Sequence, residues 1–326
     1  MDYKCTQNII AHIGEKYEII QYDKYTELAK ELFLDIGDNF NINYENYTQN
    51  LSRRNNHFFI KKGANLFVED DKDFTSFEIY KKLGYTVYNV KIGMNCNLGC
   101  KYCYLLNTTK FTPEIAIYGN IQEETLKFVE NHKDKKMLLN LGEYTDTFML
   151  DKITDLTVFF NKLTLQYPNI LIESRTKLQN LTLKFDPNPN FILGFSVSIN
   201  ELDKFGKKEQ VLSKLNYIQG LTKLGYFVSI KFDPIISLIG YDDDFFDIIK
   251  EMDLTKIHHF SIGCLRFSKG LGRVISQCGD VKTVHGNFQE IHGKFVNTNR
   301  EHIYAFFISR MKAIGLHDYY LSMDPK

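Results

Sequence analysis

The sequence predicts an α/β protein built on a parallel sheet. Six apolar runs of strand length recur between Thr86 and Phe267, helix-like stretches separate them, and apolar residues fill 44% of the 326 positions. Strands alternating with helices imply parallel pairing, because each crossover returns the chain to the same end of the sheet. Runs this apolar imply that both faces of the sheet are covered. Such a sheet can stay open or curl into a barrel. In a barrel the chemistry gathers at the C-terminal strand ends, so polar residues there are the candidates for function.

Thr86–Ile92 opens the series as a β-branched and aromatic run. Met137–Gly142, Asn169–Ser174, Phe191–Ser198, Tyr226–Phe232 and His259–Phe267 continue it. Helices are expected over Gln122–Asn131, Lys152–Gln166, Glu209–Leu224 and Asp243–Met252; in the last, Phe245, Phe246, Ile249 and Met252 share one face. Residues 1–85 read as an N-terminal appendage to a main domain over 86–326. Within the appendage a helix is expected over Tyr25–Leu34, a strand pair at His57–Ile60 and Leu66–Glu69, and an exposed acidic turn at Asp70–Asp73.

Forty Lys and Arg balance forty Asp and Glu. That argues against a polyanion binder held by bulk charge, though not against a local basic groove. The polar start of the chain has no apolar stretch of signal-peptide length, and no run reaches the length of a membrane span, so a cytoplasmic protein with no membrane partner is expected. The six cysteines are Cys5, Cys96, Cys100, Cys103, Cys264 and Cys278. In a reducing compartment, three of them within eight residues read as metal ligands rather than disulfides.

The three lie just past the first strand, in Gly93-Met-Asn-Cys-Asn-Leu-Gly-Cys-Lys-Tyr-Cys-Tyr-Leu105. Thiolates are soft donors that suit iron–sulfur clusters, and three on one loop can take three corners of a cubane. The fourth iron then has no protein ligand, which is the mark of a reactive site. A structural zinc site completed by a distant His or Cys is the alternative; no second Cys-x-x-Cys pair exists to build it.

This spacing resembles that of radical S-adenosylmethionine (SAM) enzymes, with Tyr102 at the aromatic position before the last cysteine. The resemblance implies a 4Fe-4S cluster on Cys96, Cys100 and Cys103 whose open iron chelates SAM. An electron from the cluster would cleave SAM to a 5′-deoxyadenosyl radical that takes hydrogen from the substrate. Gly142 and Glu143, closing the second strand after Leu141, resemble the Gly-Gly-Glu element that binds the SAM amino group; a carboxylate facing an ammonium makes a charge-assisted hydrogen bond.

Further segments resemble the spore photoproduct lyase family: Cys-Tyr-Leu at 103–105, Gly-Glu-Tyr-Thr-Asp at 142–146, Glu-Ser-Arg-Thr-Lys at 173–177, Phe-Ser-Val-Ser-Ile-Asn at 195–200, Lys-Phe-Asp-Pro-Ile-Ile at 231–236 and Ser-Ile-Gly-Cys-Leu-Arg-Phe at 261–267. That family implies a partial (β/α)6 barrel and the reversal of a thymine–thymine photolesion in DNA. It places Tyr102 and Tyr104 beside SAM and a radical relay, puts Lys177, Ser198 and Asn200 on SAM's polar groups, and calls for a one-electron donor of flavodoxin or ferredoxin type. Lys231 and Asp233 at the fifth strand end and Arg266 at the sixth are candidates for substrate contacts, against the alternatives of a structural turn and an ion-paired Arg. Lys269, Arg273 and Lys282 follow Arg266 and could track a nucleic-acid backbone.

One departure stands out. The family's lyases use a Cys at the end of strand two as hydrogen donor, and Leu141–Thr147 holds none. Tyr144, Tyr104 and Cys264 are the candidate replacements. A radical SAM enzyme of the same lineage acting on a nucleoside, a modified base or a peptide, and a non-catalytic iron–sulfur or zinc protein, are the competing functions.

Overall fold

Side chains alternate along the strands, and the alternation decides how the sheet bends. The computed structural model describes residues 18–19, 57–61, 63–70, 77–96, 98–105, 115–149, 151–277, 288–291, 293–317 and 319–322. The helix expected at 25–34, most of the acidic turn, Cys5, Cys278 and Lys282 lie outside the described residues.

In chain order the first elements are Glu18–Ile19 (β1), His57–Lys61 (β2), Phe67–Glu69 (β3), Glu78–Lys82 (α1), Thr86–Val90 (β4), Gly93–Met94 (β5), Ile115–Tyr118 (β6) and Ile121–Asn131 (α2). Met137–Asn140 (β7), Asp151–Thr154 (α3), Leu156–Gln166 (α4), Ile170–Thr176 (β8), Phe191–Ser196 (β9), Lys208–Lys223 (α5) and Val228–Ile235 (β10) follow. The last are Asp243–Lys250 (α6), Ile257–Cys264 (β11), Arg266–Ser268 (β12), Lys269–Gln277 (α7), Phe288–Ile291 (β13), Lys294–Asn297 (β14), Arg300–Ala313 (α8) and Tyr319–Leu321 (β15).

The main sheet has eight strands in the order β15-β11-β10-β9-β8-β7-β4-β3. The six expected strands, β4 and β7 to β11, are parallel neighbours in chain order. β15 joins them in parallel, and β3 caps the other edge antiparallel to β4. β2 and β3, expected as a pair, are not partners: β2 runs parallel to β6 in a separate sheet. β3 and α1 precede Thr86, yet one belongs to the main sheet and the other packs Tyr80 into its interior. Asp70, expected in an exposed turn, is buried 3.6 Å from Lys81 Nζ. The single helix expected from Lys152 breaks at Asp155, which has φ +50°. The sixth run also breaks: β11 ends at Cys264, and Arg266 starts β12 in a three-stranded antiparallel sheet.

Only one face of the strands is uniformly apolar. Leu139, Ile172, Leu193, Phe195, Ile230, Phe232, Phe260 and Ile262 point toward the helices and pack with Phe160, Leu215, Phe245 and Phe307 in the largest core cluster. Burying each large side chain there contributes roughly 2 kcal/mol. The opposite face is apolar only at its base, where Val87, Leu138, Leu171 and Ile192 meet Phe77 and Tyr80. Above that base it carries Asn140, Glu173, Lys231 and His259, all buried.

These polar residues report the curvature. Adjacent strands lie about 4.8 Å apart, so β8 and β11 would be separated by about 14 Å in a flat sheet. Glu173 on β8 nevertheless reaches Lys231 on β10 at 2.6 Å and His259 on β11 at 3.9 Å. The sheet therefore curls around its polar face, and among the described residues no ladder joins β15 to β3. It is a partial barrel, with the strand ends opening to one side. No helix among the described residues is long and apolar enough to cross a membrane.

A candidate active site at the strand ends

The cysteine loop leaves β5 through two left-handed residues, Asn95 at φ +67° and Gly99 at φ +76°. None of the three cysteines is in a disulfide; Cys100 is buried, and Cys96 and Cys103 are half-buried. They share an apolar cluster with Leu98, Tyr102, Leu202, Leu265, Phe267 and Leu271. Burial pushes the Cys100 thiol up to about 12, with Lys177 opposing and Asp203 adding to the shift. Burial, with Asp146 next, raises Cys96 as well. Among the described residues no three metal-binding side chains converge on one point, so the loop collects the thiols without drawing them together. The donor set fits an iron–sulfur cluster: three soft ligands on one loop, screened from water by apolar neighbours.

The loop is tied to the strand ends through Tyr102. Its hydroxyl donates to Asp203 Oδ2 at 2.6 Å. Lys177 Nζ, just past β8, pairs with the same oxygen at 3.0 Å, hydrogen-bonds the Tyr102 hydroxyl, and sits 4.9 Å from that ring's centre. The Cys100 thiol donates to Asp203 at 3.7 Å. Asp203 thus joins three sequence-predicted residues, Tyr102, Lys177 and Cys100, although it lies beyond Asn200, the last residue expected at that strand end. Its position depends on a tight loop in which a Cβ on Gly206 would come within 2.2 Å of the Asn200 carbonyl oxygen. No local pattern gives that away.

A second tie runs from Tyr104, whose hydroxyl donates to the Glu143 carbonyl at 2.5 Å. The Glu143 carboxylate meets Arg175 Nη1 at 3.4 Å. Gly142 is required here, because a Cβ would lie 2.1 Å from the Arg175 Cβ. Asp146, the end of the Gly-Glu-Tyr-Thr-Asp segment, braces the two strand ends. It accepts from the Lys177 amide at 2.8 Å, Thr176 Oγ1 at 2.9 Å and the Phe148 amide at 3.1 Å. Tyr144 is half-buried, with Lys91 Nζ 5.5 Å from its ring centre.

Ser198 and Asn200 do stand past the end of β9. Ser198 Oγ donates to the Pro234 carbonyl, and Asn200 Nδ2 donates to Ser198 Oγ at 2.9 Å. Asp233 points inward between cations: burial raises its carboxyl, against the pull of Lys177, Arg266 and Arg175 in that order. Ser322 Oγ donates to it at 3.3 Å, and a Cβ on Gly263 would press within 2.9 Å of its Cγ. Arg266, at the start of β12, reaches this group electrostatically rather than closing the sixth parallel strand.

Two of the expected site residues are engaged in the interior. Lys231, expected as a substrate contact, is buried, salt-bridged to Glu173 and 3.1 Å from His259 Nε2. Cys264 does not face the mouth. Gly263 faces Asp233, so by strand alternation Cys264 turns to the helix side, where it joins Phe260 and Ile262 in the core. Its backbone amide donates to the Tyr304 hydroxyl of α8 at 3.5 Å.

Glu173 and His259 are buried polar residues that, like Asp203 and Arg175, are not among those singled out from the sequence. Tyr80 completes their group, 3.3 Å from Glu173 Oε2 and 3.0 Å from His259 Nδ1. Burial alone would raise the Glu173 carboxyl; Lys231, then His259 and Arg175, reverse that and hold it near 2. The signal was present in the alternation of Val228-Ser-Ile-Lys-Phe-Asp233 and His259-Phe-Ser-Ile-Gly263.

No family model matches the chain, and no curated protein matches it in sequence. Solved structures do match in fold. A spore photoproduct lyase variant with bound AdoMet and dinucleoside spore photoproduct is 16% identical with TM-score 0.67, over 94% of this chain and 98% of that one. A second variant with dinucleoside spore photoproduct is 17% identical at TM-score 0.66, over the same shares. Spore photoproduct lyase complexed with dinucleoside spore photoproduct gives 16% and 0.66, again over 94% and 98%. The chain shares the mostly parallel α/β fold of these structures.

Proposed function

We propose that this chain is a radical SAM enzyme of the spore photoproduct lyase kind, acting on a pyrimidine photolesion in DNA. The observation that carries the reading is the knot of Tyr102, Lys177 and Asp203, which fastens the three-cysteine loop to the ends of β8 and β9. A structural metal site has no need of those strand ends. The bound AdoMet and dinucleoside photoproduct of the fold neighbours support the same reading.

Cys96, Cys100 and Cys103 would hold the 4Fe-4S cluster. When bound, it supplies an electron for reductive cleavage of SAM and, through that, a carbon radical able to take hydrogen from a substrate C–H bond. The chain's own residues position and shield. Glu143 offers its carboxylate to the SAM ammonium. Lys177, held by Asp203, offers a fixed cationic donor, and Ser198 and Asn200 offer polar groups beside it. Asp233 and Arg266, which act on each other electrostatically, would meet the substrate as a hydrogen-bonding and charged pair. Tyr104, within the site yet 42% exposed, and Tyr144 beside it are the phenols that can return a hydrogen atom to the product. Electrons come from a one-electron carrier of flavodoxin or ferredoxin type, and the protein works in the cytoplasm.

The test is an anaerobic reaction of cluster-reconstituted protein with dithionite, SAM and dinucleoside spore photoproduct, following 5′-deoxyadenosine and restored thymidine together. Both products should form, and both should vanish in Cys100→Ala. Retained SAM cleavage in that variant would sink the cluster assignment. The missing Cys in Leu141–Thr147 favours one second reading, the same radical chemistry on another substrate. Deoxyadenosine without thymidine would select it.

A further inference from the structure

We infer that Arg175 is a positioning residue for the cofactor: it holds the Glu143 carboxylate where the SAM ammonium can meet it, and Glu173 fixes Arg175 in turn. The inference rests on the functional reading above.

Glu143 lies past the end of β7, on a half-exposed turn. A glutamate there would ordinarily sample several rotamers. Arg175 removes that freedom by placing Nη1 3.4 Å from Glu143 Oε2. Arg175 is itself held on further sides. Its Nε lies 3.7 Å from Glu173 Oε1, and its guanidinium carbon sits 4.6 Å from the centre of the Phe77 ring. Glu173 is fully buried and already neutralised by Lys231 at 2.6 Å, so the Arg175 charge remains available to Glu143. The strands pack closely enough for this only because position 142 has no Cβ. A carboxylate has about four lone-pair sites on two oxygens. One guanidinium nitrogen on Oε2 leaves acceptor capacity for an incoming ammonium, so the pair orients Glu143 without occupying it fully.

The experiment measures equilibrium binding of SAM, and of 5′-methylthioadenosine as a probe lacking the ammonium, to cluster-reconstituted protein under anaerobic conditions. Loss of one charge-assisted contact predicts that Arg175→Met weakens SAM roughly tenfold or more. It should leave methylthioadenosine binding and iron content unchanged. Glu143→Gln should weaken SAM similarly, and Arg175→Met added to Glu143→Gln should cost nothing further. Gly142→Ala, which pushes Arg175 aside with every charge kept, should weaken SAM in the same direction. Arg175→Lys should fall between Met and Arg, and carries the test if Arg175→Met does not fold. Unchanged or tighter SAM binding in Arg175→Met and Arg175→Lys overturns the inference, as do equal losses for both ligands or fully additive losses. Those results leave the functional reading standing when Glu143→Gln still weakens SAM. Wild-type protein that binds no SAM sinks both.

Discussion

At the scale of single residues, Asp203 has the largest consequences outside the cysteines. It neutralises Lys177 and accepts the Tyr102 hydroxyl from a position almost wholly out of water. Breaking one partner of a buried pair strands the other charge, which costs about 3 kcal/mol. Asp203→Ala should therefore lower stability by that order in chemical denaturation, and Lys177→Met added to it should recover part of the loss. Purely additive losses in that double variant would mean the two side chains are not coupled. Residues legible in the sequence were those whose meaning is local: the three cysteines, the Tyr102 between them, and Glu143 and Lys177 at ends of apolar runs. Asp203 and Arg175 take their roles from neighbours about 100 and about 30 positions away, and a spacing rule has no access to such a distance.

At the scale of elements, the sequence reading found the strands but misjudged one face. Apolar density pointed to a sheet covered by greasy residues on both sides. In β10 and β11 the apolar positions alternate with Ser, Lys, Asp and His, so one face packs on helices while the other encloses polar groups. A break in the sixth run was also hidden, because Leu265 continues the apolar pattern while the backbone turns away. Pairings such as β2 with β6 depend on long-range register, which composition does not encode. The contact between β10 and β11 gives a prediction of its own. Gly263→Ala would set a methyl group against the Asp233 carboxylate, an overpacking that costs about 1–3 kcal/mol. It should also weaken substrate binding while iron content stays at the wild-type level. Unchanged substrate affinity would remove Asp233 from the proposed substrate contacts.

At the scale of the whole molecule, the interior charges tie stability to acidity. Glu173 titrates near 2 in the folded chain against an ordinary 4.5. A carboxylate whose folded pKa is depressed adds stability above its unfolded pKa, and that stability is lost as pH falls through the folded value. The window is therefore from about 4.5 down to about 2. Wild-type protein should lose stability across it more steeply than Glu173→Gln, which should be weaker at neutral pH and flatter in acid. Equal slopes in urea titrations at each pH would show that Glu173 carries none of this dependence.

Among the described residues no closing ladder secures the curl of the sheet, and β15 and β3 are its two edges. Glu173, Lys231 and His259 reach across three strand intervals instead, with Tyr80 crossing from α1. They serve as the hoop on a cask whose staves do not meet. A hoop sets the radius of the rim as well as the strength of the vessel. Changes made deep inside, far from any cysteine, would alter how far apart the strand ends stand at the rim.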